Sequence, residues 1–87
     1  MLLMKIKYHK HFLKDVAKLG LTQKQKLAYR LKLFETSPND RELGNHELKG
    51  KLKGHFSIDI TGDIRAIYRF NDDCIEFIRL GTHSQLY

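Results

Sequence analysis

Eighty-seven residues are enough for one small domain with a modest core, whose stability is marginal unless something staples or covers it. Sixteen Lys and Arg against ten Asp and Glu give a formal charge of +6, and a content of 41% hydrophobic and 30% charged residues excludes a disordered chain. Cys74 is the only cysteine, which excludes a disulfide scaffold, and no apolar run approaches membrane-spanning length; with no signal-type apolar stretch in MLLMKIK, the expectation is a cytoplasmic protein.

Residues 2–8 (LLMKIKY) alternate partly and read as a first strand. Phe12, Leu13, Val16 and Leu19 fall at one-face helical spacing over 11–19, and Gly20 stops the helix. Thr22 suits the N-cap of a second helix, with Gln25 at the capping-box position. Leu27, Leu31 and Phe34 form its apolar stripe, and Ser37-Pro38-Asn39-Asp40 ends it. The short link between the two helices predicts an antiparallel hairpin. Residues 39–54 form the longest irregular stretch, with Gly44, Gly50 and Gly54 among Lys49, Lys51 and Lys53. Long loops in small domains are usually functional or mobile. Three strand-like runs follow, HFSIDI, IRAIYRF and CIEFIRL, with Thr61-Gly62-Asp63 and Asn71-Asp72-Asp73 as turns between them. The tail is GTHSQLY.

The order β-α-α-β-β-β predicts an α+β two-layer domain over residues 1–87, an antiparallel sheet with the N-terminal helix hairpin on one face. Strand period places Ile64, Ala66, Tyr68 and Phe70 toward the helices and Arg65 and Arg69 on the other face. That second face needs a reason to meet water, so chemistry is expected there.

Charge is uneven. Residues 1–53 carry 13 Lys and Arg against 5 Asp and Glu, a net of +8, while residues 54–87 carry 3 against 5, a net of −2. A basic half suggests a polyanion, because clustered cations displace counterions from phosphate. An acidic protein partner competes for the same surface, and solvated helix faces are the plain alternative. Lys24, Lys26 and Lys32 lie on helix positions away from the expected site and suit a polyanion or an acidic partner.

Five histidines stand out. His9 and His11 have a spacing that suits a metal, but no third ligand lies nearby, and ordinary surface histidines fit as well. His46 in the Gly/Lys loop and His83 in the tail can supply a base and an acid near neutral pH. With a cation to stabilise a phosphorane, two such groups suffice to cleave RNA without metal or cofactor. Each histidine alone also fits a capping or surface role. Arg65 and Arg69 can floor a phosphate site, or pair with Asp59 or Glu76 across strands; Arg79 can join that floor or bridge at its rim. Lys49, Lys51 and Lys53 can track a phosphate backbone. Tyr87 can stack on a base or dock the tail into the core.

The ordered motifs H-x-L-x-G-x-L-x-G, D-I-R-A-I-Y-R and G-T-H-S-x-L-aromatic together resemble the RelE/ParE toxin superfamily, and most closely its YafQ-type branch. The resemblance covers nearly the whole chain and is weakest over the two helices. It implies a microbial-ribonuclease-like fold and metal-independent cleavage of mRNA in the ribosomal A site, leaving a 2′,3′-cyclic phosphate. It also implies a cognate antitoxin that wraps the toxin, and operator DNA reached through that complex. His46 then matches a functional loop histidine, Asp63 the acidic residue of the turn, His83 the tail histidine and general acid, and Tyr87 the terminal aromatic. Arg65 matches an arginine more typical of the RelE branch. At Asp59 the YafQ pattern has a histidine instead. The general base is then His46, with Asp59 or Asp63 as alternatives. ParE-like relatives act on DNA gyrase, and a non-catalytic binding module of the same fold is the competing reading; the tail motif GTHSQLY argues for the nuclease.

Overall fold

In the computed structural model, residues 5–87 are described; the part of the expected first strand at residues 2–4 lies outside them. Strand β1 (Lys5–Tyr8) leads into helix α1 (Lys10–Ala17) and helix α2 (Leu21–Thr36). A 3-10 turn (Arg41–Leu43), a two-residue strand β2 (His46–Glu47) and a second 3-10 turn (Gly50–Leu52) fill the irregular stretch. Strands β3 (His55–Asp59), β4 (Ile64–Asn71) and β5 (Cys74–Thr82) follow, and helix α3 (His83–Leu86) ends the chain.

The sheet order is β1-β5-β4-β3-β2. The α+β class and the helix pair on one face agree with expectation, but the sheet is mixed rather than antiparallel throughout. β1 runs parallel to β5, with Ile6 opposite Ile75, while the other pairs are antiparallel. The two helices and two hairpins between β1 and β5 return the chain in the same direction, as a crossover must. The second helix also starts earlier than expected. Its N-cap is Gly20, whose N–H donates to Gln23 Oε1 at 3.2 Å, so Thr22 and Gln25 lie inside the helix. No helix among the described residues is long and apolar enough to cross a membrane.

One core lies between the helices and the sheet. Phe12 of α1 and Leu27 and Phe34 of α2 pack with Ile58, Ala66, Tyr68, Ile75, Phe77 and Leu80. Phe77 is fully buried at the centre, with Phe12, Phe34 and Tyr68 rings 5.3–5.6 Å away. Offset and edge-on geometries of this kind add to burial through the ring quadrupole.

Phe77 and Leu80 both reach the core although three positions apart. The register explains this: Ile67 faces Arg79 but Tyr68 faces Phe77, so Ile78 is an extra residue in β5. Such a bulge re-aims side chains and interrupts the ladder. The Leu80 N–H is satisfied by Asp15 Oδ2 of α1 at 2.9 Å.

The face away from α1 and α2 follows from the same register. His46 faces Ser57, Ser57 faces Ile67, Asp59 faces Arg65, and Arg65 faces Gly81. A Cβ on Gly81 would stand 2.8 Å from Gln85 Oε1, so the missing side chain lets α3 lie against this face.

Candidate active site

A cleft of about 310 Å³ opens on that second face, lined by His46, Leu48, Lys49, Leu52, Arg65, His83 and Tyr87. Four structural elements contribute, each with its own local cause.

His46 sits on β2, at the sheet edge. The segment before it is fixed by Asn45, which donates from Nδ2 to Pro38 O at 3.0 Å and accepts from Tyr68 Oη at 2.7 Å. Burial pushes the Tyr68 phenol above its ordinary value, so Tyr68 keeps the proton it donates. Gly44 takes the left-handed conformation at φ +52 and turns its carbonyl back to His46 Nδ1, 2.8 Å away. A carbonyl only accepts, so Nδ1 carries hydrogen. In the neutral ring Nε2 then holds the free lone pair, the arrangement a general base needs.

Arg65 comes from β4 and points into the cleft. Its Nε lies 3.3 Å from Asp59 Oδ1, across the β3–β4 pair. Gly44 packs against the other oxygen so closely that a Cβ would be 2.6 Å from Asp59 Oδ2. Asp59 thus stands behind Arg65 rather than lining the cleft, with its carboxylate engaged.

His83 is the first residue of α3. Thr82 Oγ1 accepts from Gln85 N at 3.3 Å, and Gln85 Oε1 accepts from Thr82 N at 2.9 Å. This reciprocal box fixes the turn that presents His83. The Tyr87 N–H closes on His83 O at 3.0 Å, which sets the two rings 4.6 Å apart at 53°. Tyr87 is 45% exposed, so it is no plug for the core.

The remaining candidates lie outside this cleft. Asp63 is exposed in the turn, where its N–H donates to Thr61 Oγ1 at 3.1 Å. Lys51 and Lys53 are exposed on the same loop as Lys49 but do not line the cleft. Arg69 donates twice to Glu76 Oε1, at 3.0 and 2.9 Å, farther along the same face. Arg79 is held by Asp15 Oδ2 at 2.9 Å, at the α1 side.

His9 Nδ1 caps α1 by accepting from His11 N at 3.1 Å, and the two rings stack 5.0 Å apart. Among the described residues no group of three or more His, Cys, Asp or Glu side chains converges as a metal-ligand set.

Leu48 and Leu52 were not singled out by sequence reasoning, yet they form the apolar walls of the cleft. Their place in the H-x-L-x-G-x-L pattern was the available signal. Thr82 and Gln85 were missed as well, although T-x-x-Q is a capping-box spacing.

Comparisons with known proteins bear on the family and the fold. A family model described as the bacterial toxin of type II toxin–antitoxin systems, YafQ, matches residues 4–87. The mRNA interferase toxin YafQ of Escherichia coli K12 is 33% identical over 89 aligned positions, covering 94% of each chain. The crystal structure of YafQ from E. coli BL21(DE3) superposes with a TM-score of 0.77 at 30% identity, covering 97% of this chain and 98% of that one. The toxin chain of the E. coli DinJ–YafQ toxin–antitoxin complex gives 0.75 at 32% identity, with 97% of each chain covered. A fold, a tail motif and a match that runs almost end to end place this chain in the YafQ family of bacterial toxins from type II toxin–antitoxin systems.

Proposed function

We propose that this single-domain toxin, residues 1–87, is an endoribonuclease that cuts mRNA in the ribosomal A site and so stops translation. The observation that carries the reading is one cleft holding His46 with a free Nε2, His83 at a pinned helix start, and the cations Arg65 and Lys49.

His46 Nε2 takes the proton from the ribose 2′-OH. The 2′-oxygen attacks the adjacent phosphorus, forming the O2′–P bond. The P–O5′ bond breaks, and His83 gives its proton to the leaving 5′-oxygen. The products are a 2′,3′-cyclic phosphate and a 5′-hydroxyl. Arg65 and Lys49 stabilise the charge that gathers on the phosphorane oxygens. Asp59 holds the Arg65 guanidinium in place, and this engagement favours His46 over Asp59 as the base. Tyr87 stacks on a base beside the scissile phosphate, with Leu48 and Leu52 as the apolar wall. The step uses side chains alone, with no metal or cofactor.

The basic surface serves docking. Lys51, Lys53, Arg69, Arg79 and the α2 lysines carry contacts to mRNA and ribosomal RNA backbones, where point charges position without reading sequence. Arg69 and Arg79 keep carboxylate partners and so contribute less free charge than the lysines. The cognate antitoxin is an acidic chain that covers the cleft, and the pair reaches operator DNA through the antitoxin. Such a substrate places the protein in the cytoplasm.

Primer extension on a reporter mRNA after induction tests the assignment. Wild type should give discrete cuts that depend on translation, and His83→Ala should remove them while leaving the fold unchanged. Cuts by His83→Ala at the wild-type rate would refute the role of His83. No cuts by wild type would refute the nuclease.

A further inference from the structure

Arg30 lies on α2, outside the cleft, and its side chain is mostly buried at 22% exposure. Its Nη1 donates to two backbone carbonyls, that of Glu42 in the first 3-10 turn and that of Asp59 at the end of β3, the latter at 3.1 Å. Nη2 also lies 3.9 Å from Glu42 Oε2, and the same Glu42 carboxylate accepts from Tyr29 Oη at 3.3 Å. The two carbonyls belong to segments that each lead directly to an active-site contact. Two residues beyond Glu42, the Gly44 carbonyl holds His46 Nδ1. The Asp59 side chain holds Arg65. The segments meet where Gly44 packs on the Asp59 carboxylate.

We propose that Arg30 is a positioning residue for this site: one guanidinium ties the Gly44 turn to the end of β3, and so fixes His46 and Arg65 relative to each other. The proposal deepens the ribonuclease reading and rests on it for its kinetic arm only. Several fixed donors on one plane suit this task, because two carbonyls and a carboxylate approach from different directions. A lysine offers a point charge on a flexible stem and reaches such a set less completely. Carbonyls at the end of a short helical turn lack partners within the turn, which is why a side chain from the helix layer can claim one.

The test compares Arg30→Met, Arg30→Lys and Glu42→Gln in the full chain, with cleavage of ribosome-bound mRNA and ¹⁵N NMR of the His46 ring as readouts. Glu42→Gln keeps the backbone carbonyl and loses only the long ion pair, so it should stay within about twofold of wild type. Arg30→Met should lower kcat by about 10–100-fold with little change in KM, the usual cost of removing an orienting partner. Its His46 ring should lose the fixed Nδ1–H tautomer of the wild type. Arg30→Lys should recover part of both, and it decides the question by the same two readouts if Arg30→Met does not fold. Wild-type kcat in either Arg30 variant, or an unchanged His46 tautomer beside a reduced kcat, would overturn the proposal. Failure of the wild type to cleave would remove the ribonuclease reading instead, and the NMR comparison would still decide the positioning role.

Discussion

Gly44→Ala separates the conformational from the catalytic consequence of one turn. At φ +52 an alanine costs about 1–2 kcal/mol relative to glycine. For a domain of this size each kcal/mol lowers Tm by about 4–8 °C, so a fall of about 4–16 °C is expected. The added Cβ also lands 2.6 Å from Asp59 Oδ2. That oxygen is the far end of a side chain, so it swings away at little cost to stability. The cost falls on Arg65, whose Nε loses its 3.3 Å partner. Cleavage should therefore drop by about tenfold or more in protein that is still folded at the assay temperature. Gly50→Ala is the control, because φ is also positive there, at +69, but nothing lies within 4 Å of the new Cβ. It should show a similar loss of Tm with near-normal cleavage. Thermal melts and cleavage rates on the same preparations give the comparison. If Gly44→Ala cleaved as well as Gly50→Ala, the link from Gly44 through Asp59 to Arg65 would be wrong.

Three further outcomes follow from contacts already described. Phe77→Ala removes a fully buried ring from the centre of the core and should cost about 3–5 kcal/mol, read as a lower urea midpoint; a loss under about 1 kcal/mol would show that the core closes over the cavity. Thr82→Ala removes the cap of α3 and should cost about 1 kcal/mol while lowering cleavage, because His83 loses its fixed turn; intact cleavage with the cap gone would separate His83 from α3. The raised phenol of Tyr68 makes the folded state bind a proton that the unfolded chain has lost above its ordinary value of 10.0. Stability is therefore fully present below pH 10.0 and falls as pH rises through the folded value, and Tyr68→Phe should flatten that fall in alkaline urea titrations.

Much of this architecture was legible where a residue's role depends on near neighbours in the chain. The stripe Leu27, Leu31 and Phe34 and the alternation Ile64, Ala66, Tyr68 needed only period and burial. The placing of Arg65 on the face opposite the helices needed only strand parity. What escaped notice depends on residues far apart. The parallel pairing of β1 with β5 is decided by where two helices and two hairpins return the chain. β2 has two residues, too few to show a period. Asp15 and Arg79 are 64 positions apart, and neither the β5 bulge nor the bond from the Leu80 N–H to Asp15 is written in the local pattern. The site divides in the same way. His46, Lys49, Arg65, His83 and Tyr87 share one cleft; the motifs named four of them, and the Gly/Lys loop pointed to Lys49. Asp63 stands apart in its turn, while the pairs Asp59–Arg65 and Glu76–Arg69 are the cross-strand pairings that strand parity had offered as the alternative to a phosphate floor. The basic half, residues 1–53, brings His46 and Lys49 to the cleft, whereas His83 and Arg65 lie in the half with net negative charge.

The central claim is attack of the ribose 2′-oxygen on the adjacent phosphorus, with His46 taking the 2′-OH proton and His83 giving one to the leaving 5′-oxygen. The most direct measurement is the chemistry of the cut ends from ribosome-bound mRNA treated with the wild-type toxin. The account predicts a 2′,3′-cyclic phosphate on one fragment and a 5′-hydroxyl on the other, with no cut when the nucleotide before the scissile phosphate lacks its 2′-OH. A 3′-hydroxyl with a 5′-phosphate, or unimpaired cleavage of the 2′-deoxy substrate, would contradict it.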